Sequence, residues 1–286
     1  MQSKNSVKIK NSNIKAGINL LHDKLSRLEE ELKTLRNIAV AFSGGVDSTF
    51  LLKVAKEVLG KNAAAITIDS PLYPRRELDH AIKFTADNKI KHFIIKNDCF
   101  IKPDFTKNDK LRCYYCKNDA FTKIIETAKT QGFINIADGQ NKDDSSDYRP
   151  GADAALELGV MSPLKKHGFT KEDIRQLSKE MGISGWDRPA FACLASRVPY
   201  GTRITPSLLE KIDRLESFLI EKGFVQVRVR HHGKIARIEI AKEDFPGMLG
   251  KNLMEEVVSE FKKAGYIYVT LDLEGYNAGS LNRLIL

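Results

Sequence analysis

Residues 38–52 read IAVAFSGGVDSTFLL, and this stretch decides the fold. It opens with an apolar run typical of a buried strand. From residue 46 onward, the apolar side chains recur at the spacing of one helix face. The glycines and serines between these two patterns therefore connect the end of a strand to the start of a helix. In an open α/β sheet, that position is where ligands bind.

The loop itself suits a phosphate. A helix N-terminus offers unpaired N–H groups and the positive end of its dipole, and Gly44 and Gly45 let the backbone approach an anion closely. Ser43 and Ser48 add hydroxyl donors, and Asp47 could hold a metal ion that bridges phosphates. The pattern is not the Walker loop, because no lysine takes the phosphate contact. An ordinary glycine turn is the alternative interpretation.

The SGGVDS pattern at residues 43–48 resembles the pyrophosphate loop of the PP-loop ATP pyrophosphatases, also called the adenine nucleotide alpha-hydrolase-like superfamily. The resemblance implies an α/β fold with a parallel sheet and helices on both faces. It also implies an enzyme that binds ATP, releases pyrophosphate and activates its substrate as an adenylate.

Length and composition limit the remaining interpretations. A chain of 286 residues, 42% of them hydrophobic, can form one large or two ordinary domains with a sizeable core. The net charge of +9 suits nucleic acid, but equally ATP or a phosphorylated small molecule. No apolar run is long enough to span a bilayer, and the polar N-terminus MQSKNSVKIKNSN does not resemble a secretory signal. We therefore expect a cytoplasmic enzyme without a membrane partner.

The order of the apolar patterns predicts three segments. Residues 1–35 form a tail and an amphipathic helix, residues 36–203 form the PP-loop ATP-binding domain, and residues 204–286 form a small C-terminal α/β domain. Periodicity predicts strands at 38–42, 63–68, 91–95, 133–137, 224–229, 234–240 and 266–271, and further helices at 14–35, 75–88, 117–129, 170–181, 205–222 and 243–264.

Two further strand ends carry polar residues. Asp69 and Tyr73 follow the second predicted strand, where they are candidates for contacts with the nucleotide base or ribose. Gly139 and Gln140 follow strand 133–137 as further candidates for the nucleotide. The acidic residues of 138–147 could bind magnesium, which prefers oxygen ligands together with phosphate. Ordinary loop chemistry and a solvated acidic loop are the alternatives.

The chain has four cysteines, which are more consistent with metal ligands or catalytic groups than with disulfides. Cys113 and Cys116 precede a predicted helix and can meet one metal ion or cluster, but they need further ligands. Cys193 lies in a loop of proline and small residues, and Arg197 could neutralise an α-phosphate or a substrate carboxylate. A buried structural thiol is the alternative for Cys193 and the favoured interpretation for Cys99.

Arg228 and Arg230 alternate with valines, so both face the same side of a predicted strand. Two adjacent guanidiniums suit a phosphate or a carboxylate, and from these residues alone a solvated sheet face is an equal alternative. His231 and His232 follow as predicted turn residues, without a partner at metal-binding spacing.

Four motifs, in this order, resemble those of the LarE family: SGGVDS from residue 43, DGQNKDDSSDYRPG from 138, SPL from 162 and RPAFACLASRVPYGTRIT from 188. LarE proteins are ATP-dependent sulfur transferases that make the organic part of the nickel-pincer nucleotide cofactor. The resemblance implies that the substrate is pyridinium-3,5-biscarboxylic acid mononucleotide and that Arg228 and Arg230 meet its phosphate. It also implies that Asp47 and magnesium assist at ATP, and that the chain forms homo-oligomers.

The resemblance leaves two sources for the sulfur. In the single-cysteine form of the family, the residue matching Cys193 gives up its own sulfur and becomes dehydroalanine. This chain adds Cys113 and Cys116, as in a variant form whose three cysteines hold a 4Fe-4S cluster. One iron of that cluster stays open for an extra sulfide, so the protein could act repeatedly with a sulfide or other sulfur donor. We expect the cluster form, and Cys99 is the alternative fourth ligand.

Three other functions match parts of the pattern. Some PP-loop enzymes with cluster cysteines thiolate transfer RNA, but no RNA-binding module or basic-aromatic stripe is visible in the sequence. A non-catalytic protein with a zinc staple at its cysteines would bind nucleotides or carry sulfur without releasing pyrophosphate. Ammonia-using PP-loop ligases are a further alternative, but they have no need of three cysteines.

Overall fold

The structure, a computed structural model, describes residues 19–146, 150–189 and 192–277. Within these ranges the chain packs into two compact units. The first unit contains residues from 19–68, 78–95 and 120–188, and the second contains residues from 69–77, 96–119 and 189–277. Each unit draws on distant parts of the chain, and the predicted division after residue 203 stays a prediction.

The helices and strands follow one another along the chain. In order they are α1 (residues 19–34), β1 (Ile38–Ala41), α2 (Val46–Leu59), β2 (Ala63–Asp69), α3 (Arg75–Asp87), β3 (Lys91–Lys96), α4 (Pro103–Thr106), α5 (Arg112–Thr130), β4 (Ile136–Ala137), α6 (Pro150–Glu157), α7 (Pro163–Lys166), α8 (Lys171–Glu180), α9 (Pro206–Glu221), β5 (Val227–His232), β6 (Ile235–Ile240), α10 (Phe245–Met248), α11 (Lys251–Lys263) and β7 (Tyr268–Leu271). In the described part of the chain, no helix has both the length and the apolar character needed to cross a membrane.

The first unit is built on a four-stranded sheet with the strand order β3-β2-β1-β4. Strand β1 runs parallel to both of its neighbours, β2 and β4. Its side chains alternate between two cores, with Ile38 and Val40 on one face and Ala39 and Ala41 on the other. Because helices cover both faces, the strand is apolar throughout rather than alternating with polar residues. The predicted parallel α/β fold is confirmed.

The second unit contains a three-stranded sheet with the order β5-β6-β7. Strands β5 and β6 are antiparallel, and β6 and β7 are parallel. Helices α9 and α11 contribute Leu215 and Phe261 to its apolar core. Thr205 caps α9, because its side chain accepts a hydrogen bond from Leu208 N.

Two elements near the cysteines differ from the prediction. Helix α5 begins at Arg112, so Cys113 and Cys116 lie within its first five residues and not before it. The earlier start follows from a turn at Asp109, whose carbonyl oxygen accepts Arg112 N at 3.1 Å. Strand β4 is reduced to two residues, because Phe133 N bonds back to the end of α5.

Two elements of the second unit also differ. The prediction placed His231 and His232 in a turn, but both lie in β5, where they pair with Ala236 and Ile235 of β6. The predicted helix at 243–264 is divided into α10 and α11, because Gly250 takes a non-helical backbone conformation before α11 begins.

Candidate functional site

The loop of residues 43–48 follows β1 and enters the first turn of α2, as predicted. Gly44 has a φ of 76°, a left-handed conformation that favours glycine. Gly45 is the N-cap residue of α2 and provides no side-chain cap. Ser48 Oγ lies 3.2 Å from Ser43 Oγ and donates to Gly45 O at 3.0 Å. The first N–H groups of α2 therefore remain available to an anion.

Gly139 packs against the start of α2, and the predicted contacts of Gly139 and Gln140 with the nucleotide stay predictions. A Cβ at residue 139 would lie 2.7 Å from Ser48 N, so only glycine fits against the start of α2. Gln140 Nε2 donates to Asp138 Oδ2 at 2.6 Å, and Ser162 Oγ donates to Asp138 Oδ1 at 2.8 Å. Asp138 thus ties Gln140 to Ser162, beside the glycine that packs on the start of α2.

Asp47 lies in the first turn of α2, where the negative charge of Asp144 acts on its carboxylate. Burial, and then the negative charge of Asp144, raises the pKa of Asp47 to about 6, while Lys171 and Arg175 oppose the rise. Asn141 Nδ2 donates to Asp47 Oδ2 at 3.2 Å. A divalent cation would relieve the repulsion between the carboxylates, so these oxygen donors fit magnesium.

Asp69 and Tyr73 belong to the second unit, and their predicted contact with the nucleotide stays a prediction. Asp69 Oδ1 lies 3.9 Å from Arg75 Nη1. Burial, and then the charges of the nearby cysteines, raises the pKa of Tyr73 well above its usual value. Tyr73 is therefore a neighbour of the cysteines, which the sequence did not indicate. Residue 147, at the end of the predicted acidic segment, lies outside the described residues.

All four cysteines lie in the second unit as free thiols. Cys113 is exposed, Cys116 and Cys193 are half-buried, and Cys99 is buried. A hydrogen bond with Cys99, and then burial, raises the pKa of Cys116, while burial and then the charge of Cys116 raise the pKa of Cys193 to about 12. The thiols are thus close enough to influence one another, as ligands of one cluster must be. Within the described ranges, no three His, Cys, Asp or Glu side chains are arranged so that they could hold a metal ion.

Asn108 and Arg112 hold the cysteine-bearing segments together. Asn108 has a left-handed φ of 58°, and its Oδ1 accepts a hydrogen bond from Arg112 Nη1. Together, these two side chains donate at 2.8–3.0 Å to the carbonyl oxygens of Pro199, Thr202 and Ala195. Arg112 Nη2 also reaches Cys113 Sγ at 3.8 Å. One buried polar network therefore fixes the start of α5 against the segment that follows Cys193.

Arg197 is buried and paired with Glu216. Its Nε and Nη2 donate to the two carboxylate oxygens of Glu216, each at 2.9 Å, and Glu216 Oε1 also accepts Val229 N at 2.9 Å. Nη1 donates to the carbonyl oxygens of Ala192 and Cys193. Arg197 therefore ties the backbone around Cys193 to α9, and its predicted contact with a phosphate or carboxylate stays a prediction.

Arg230 is held by a second buried carboxylate. Its Nε and Nη2 donate to the two carboxylate oxygens of Glu239 at 3.0 and 2.8 Å. Its Nη1 donates to Ser196 O at 2.8 Å, which ties β5 to the segment between Cys193 and Arg197. Burial raises the cost of any charge that lacks a partner, so this pair fixes the Arg230 side chain firmly.

Arg228 lies on the same face of β5, with its guanidinium 5.0 Å from the centre of the Tyr276 ring. Burial, and then the positive charge of Arg197, lowers the pKa of Arg228 to about 10. An anion beside Arg228 would relieve this repulsion between guanidiniums. Tyr276 also lines a cleft of about 610 Å³, a size typical of small-molecule sites. The contact of Arg228 and Arg230 with a phosphate or carboxylate stays a prediction.

The sequence analysis overlooked Glu216 and Glu239, the carboxylates that hold these arginines. A signal was present in both cases. Glu239 interrupts the apolar strand sequence IARIEI, and Glu216 follows Ile212 by one helical turn on the buried face of α9. A carboxylate on a buried face requires a cationic partner, so the two glutamates could have been matched with the nearby arginines.

Comparison with known proteins finds relatives along almost the whole chain. The chain is 41% identical over 266 residues to an uncharacterised protein of Synechocystis sp., a match that covers 93% of this chain and 99% of the relative. It is 36% identical over 263 residues to the pyridinium-3,5-bisthiocarboxylic acid mononucleotide synthase of Lactiplantibacillus plantarum, covering 92% and 95%. An uncharacterised protein of Methanocaldococcus jannaschii is 31% identical over 254 residues, covering 88% and 95%. No family model matches the chain.

Proposed function

Because this chain belongs to the LarE family, we propose that it is an ATP-dependent sulfur transferase of nickel-pincer nucleotide biosynthesis. Its substrate is pyridinium-3,5-biscarboxylic acid mononucleotide. The observation that carries the proposal is the 36% identity, over 92% of the chain, to a synthase named for the corresponding bisthiocarboxylic acid. We also propose that the protein acts in the cytoplasm as a homo-oligomer.

The reaction exchanges a carboxylate oxygen for sulfur in two steps. The carboxylate first attacks the α-phosphorus of ATP, so that an acyl adenylate forms and pyrophosphate leaves. A sulfur nucleophile then attacks the acyl carbon, and AMP leaves with the electron pair of the broken carbon–oxygen bond. Adenylation is needed because an oxide is a poor leaving group, whereas AMP leaves readily.

The loop of residues 43–48 would bind the phosphates of ATP through the first N–H groups of α2 and the hydroxyls of Ser43 and Ser48. Magnesium, held by Asp47 with Asp144 beside it, would neutralise charge that builds up on the phosphates. Gly139 packs against the start of α2, and this close approach would exclude water from that side of the loop.

Arg228 and Arg230 would hold the phosphate of the mononucleotide substrate. Both side chains are buried on one face of β5. Burial, and then the positive charge of Arg197, lowers the pKa of Arg228, and a phosphate beside Arg228 would relieve the repulsion between these two guanidiniums. Binding there would orient the pyridinium carboxylates for both reaction steps.

Cys113, Cys116 and Cys193 would hold a 4Fe-4S cluster, which would supply an iron with an open position for the sulfide to be transferred. The donor set fits in kind, because the three thiols lie in one unit and, after burial, the charges of Cys116 and Cys113 both raise the pKa of Cys193. Cys113 is the exposed thiol of the three, and Arg112 Nη2 contacts its sulfur. Cys99 then remains a buried structural thiol that supports Cys116 through their hydrogen bond.

The test is anaerobic purification and reconstitution, followed by a turnover assay with ATP, the mononucleotide and sulfide. We expect about four irons per chain, pyrophosphate release that depends on the substrate, and a product in which sulfur replaces oxygen by mass spectrometry. Cys113→Ala should lose the iron. Its matched control, Cys99→Ala, should keep it.

The other outcomes separate the alternatives. A protein without iron whose mass falls by one hydrogen sulfide per product, with dehydroalanine at Cys193, would replace the cluster by the sacrificial route. Zinc without pyrophosphate release would replace the enzyme by a zinc-stapled binding protein. Pyrophosphate release stimulated by transfer RNA, and not by the mononucleotide, would favour transfer-RNA thiolation.

A further inference from the structure

The phosphate loop has no lysine of its own, yet the triphosphate of ATP carries several negative charges. In the Walker loop a lysine reaches these phosphates. If the loop binds ATP, the candidates for this phosphate contact are other basic side chains of the first unit. Three of them act at the loop or on Asp47: Lys171, Arg175 and Arg188.

Arg188 is the one whose guanidinium reaches the backbone of the loop. Its Nη1 donates to Gly44 O at 3.4 Å, and Gly44 is the loop residue with the left-handed φ of 76°. This hydrogen bond puts the Arg188 guanidinium at the loop to which the proposed function assigns the phosphates. The guanidinium is therefore placed at the loop independently of the nucleotide.

The chain makes room for this side chain at Gly185. Gly185 has a φ of 79°, and a Cβ there would lie 2.7 Å from Arg188 Cδ. The backbone of the same turn is closed by a hydrogen bond from Arg188 N to Gly185 O at 3.1 Å. Any other residue at position 185 would displace the Arg188 side chain from its path.

Helix α8 anchors the same segment. Arg175 Nη2 donates to Arg188 O at 2.8 Å, which commits that guanidinium to the backbone. Lys171 Nζ lies 3.9 Å from Asp144 Oδ1 and so is directed toward a carboxylate. Of the three basic residues, Arg188 is the one that meets the loop itself, and Arg175 holds it there.

We propose that Arg188 binds the β- and γ-phosphates of ATP in the role that a lysine has in Walker loops. The inference rests on the ATP binding of the proposed function. A guanidinium suits this role, because its planar donors match two phosphate oxygens at once. Arg188 would neutralise charge on the pyrophosphate that leaves, while magnesium at Asp47 would act on the phosphates from the start of α2.

The test compares ATP with AMP, which lacks the β- and γ-phosphates. In calorimetric titrations with magnesium, Arg188→Ala should weaken the binding of a non-hydrolysable ATP analogue by roughly 10- to 100-fold, because a hydrogen bond to a charged group is lost. AMP binding should change by less than about threefold, since AMP does not reach the site of the lost charge. Arg188→Lys should fall between the wild type and Arg188→Ala, because lysine keeps the charge but not the fork.

The matched control is Arg36→Ala. Arg36 is an exposed arginine of the same unit, and it precedes β1 at the end of the strand opposite the loop. This variant removes the same charge and should leave both affinities unchanged. A similar loss for Arg36→Ala would show that only the overall charge matters and would overturn the proposal.

Two further results would also overturn it. If Arg188→Ala weakens ATP and AMP equally, Arg188 only supports the shape of the loop. If Arg188→Ala binds both ligands as the wild type does, Arg188 has no part in binding. Failure of the wild type itself to bind the ATP analogue would instead refute the proposed function, and the inference with it.

Discussion

Replacing Glu216 by glutamine should destabilise the second unit strongly. The Glu216 side chain is 1% exposed and accepts two N–H groups of Arg197 and the N–H of Val229, all at 2.9 Å. Arg76 Nη2 adds further positive charge at 3.9 Å. Glutamine keeps the size of the side chain but removes its charge. The buried guanidinium of Arg197 would then have no carboxylate to balance it.

The expected loss follows from this burial. Breaking a buried ion pair by removing one partner costs about 3–5 kcal/mol, because the remaining charge stays in a medium of low dielectric constant. At roughly 2–4 °C for each kcal/mol in a protein of this size, the melting temperature should fall by roughly 6–20 °C. The matched control is Glu256→Gln. Glu256 pairs with Lys222, but these side chains are 53% and 36% exposed, so the expected loss is at most about 1 kcal/mol.

Scanning calorimetry of the three proteins at neutral pH provides the measurement. A second scan series at acidic pH tests the same reasoning. Burial raises the pKa of Glu216, but the charge and hydrogen bonds of Arg197 lower it by more, so the net pKa lies below the ordinary 4.5. The pair's contribution should be complete above pH 4.5 and should disappear as the pH falls through the lower folded pKa. Glu216→Gln should lack this dependence of stability on pH. If Glu216→Gln has the same melting temperature as Glu256→Gln, the reasoning is refuted.

Three other variants test the site. Gly139→Ala should weaken ATP binding by roughly 1–3 kcal/mol in a calorimetric titration, because its Cβ would press on the start of α2; Gly247→Ala, where a Cβ meets nothing within 4 Å, is the control. Asp47→Asn should abolish pyrophosphate release yet raise the free energy of unfolding at pH 8 by roughly 1–2 kcal/mol in urea denaturation. The folded pKa of about 6 lies above the ordinary 3.8, so the charged form costs stability as the pH rises through this range, and the gain should vanish below pH 3.8. Tyr276→Ala should raise the KM for the mononucleotide, because the ring that supports Arg228 contributes roughly 0.5–2 kcal/mol, whereas Tyr276→Phe should keep it.

The parallel sheet and its loop were predictable because their signals are local. A buried strand, two glycines and an amphipathic helix follow one another within residues 38–52, so each part is visible without knowledge of its neighbours. Thr170 shows the same principle: it begins the predicted helix 170–181, and in the structure it caps α8 through a capping box with Asp173. Sequence reasoning is strong where a short segment contains both the pattern and its boundary.

Contacts between distant segments could not be read in this way. The position of Tyr73 after a strand of the parallel sheet does not reveal that cysteines from three other segments lie near it. The position of Arg197 in a loop does not reveal that Glu216 of α9 pairs with it. In both cases the deciding partner is far along the chain, and only packing brings it near.

The pair of Arg197 and Glu216 also connects two parts of the proposed chemistry. On one side, Arg197 Nη1 holds the carbonyl oxygens of Ala192 and Cys193 at 2.7 and 3.1 Å. On the other, Glu216 holds the N–H of Val229, in the strand that carries the proposed phosphate-binding arginines. One buried ion pair thus sets the position of Cys193 relative to that strand. In Glu216→Gln, both adenylation of the substrate and sulfur transfer should therefore fall, whereas the affinity for ATP alone, measured by calorimetric titration, should stay unchanged, because the loop of residues 43–48 belongs to the first unit.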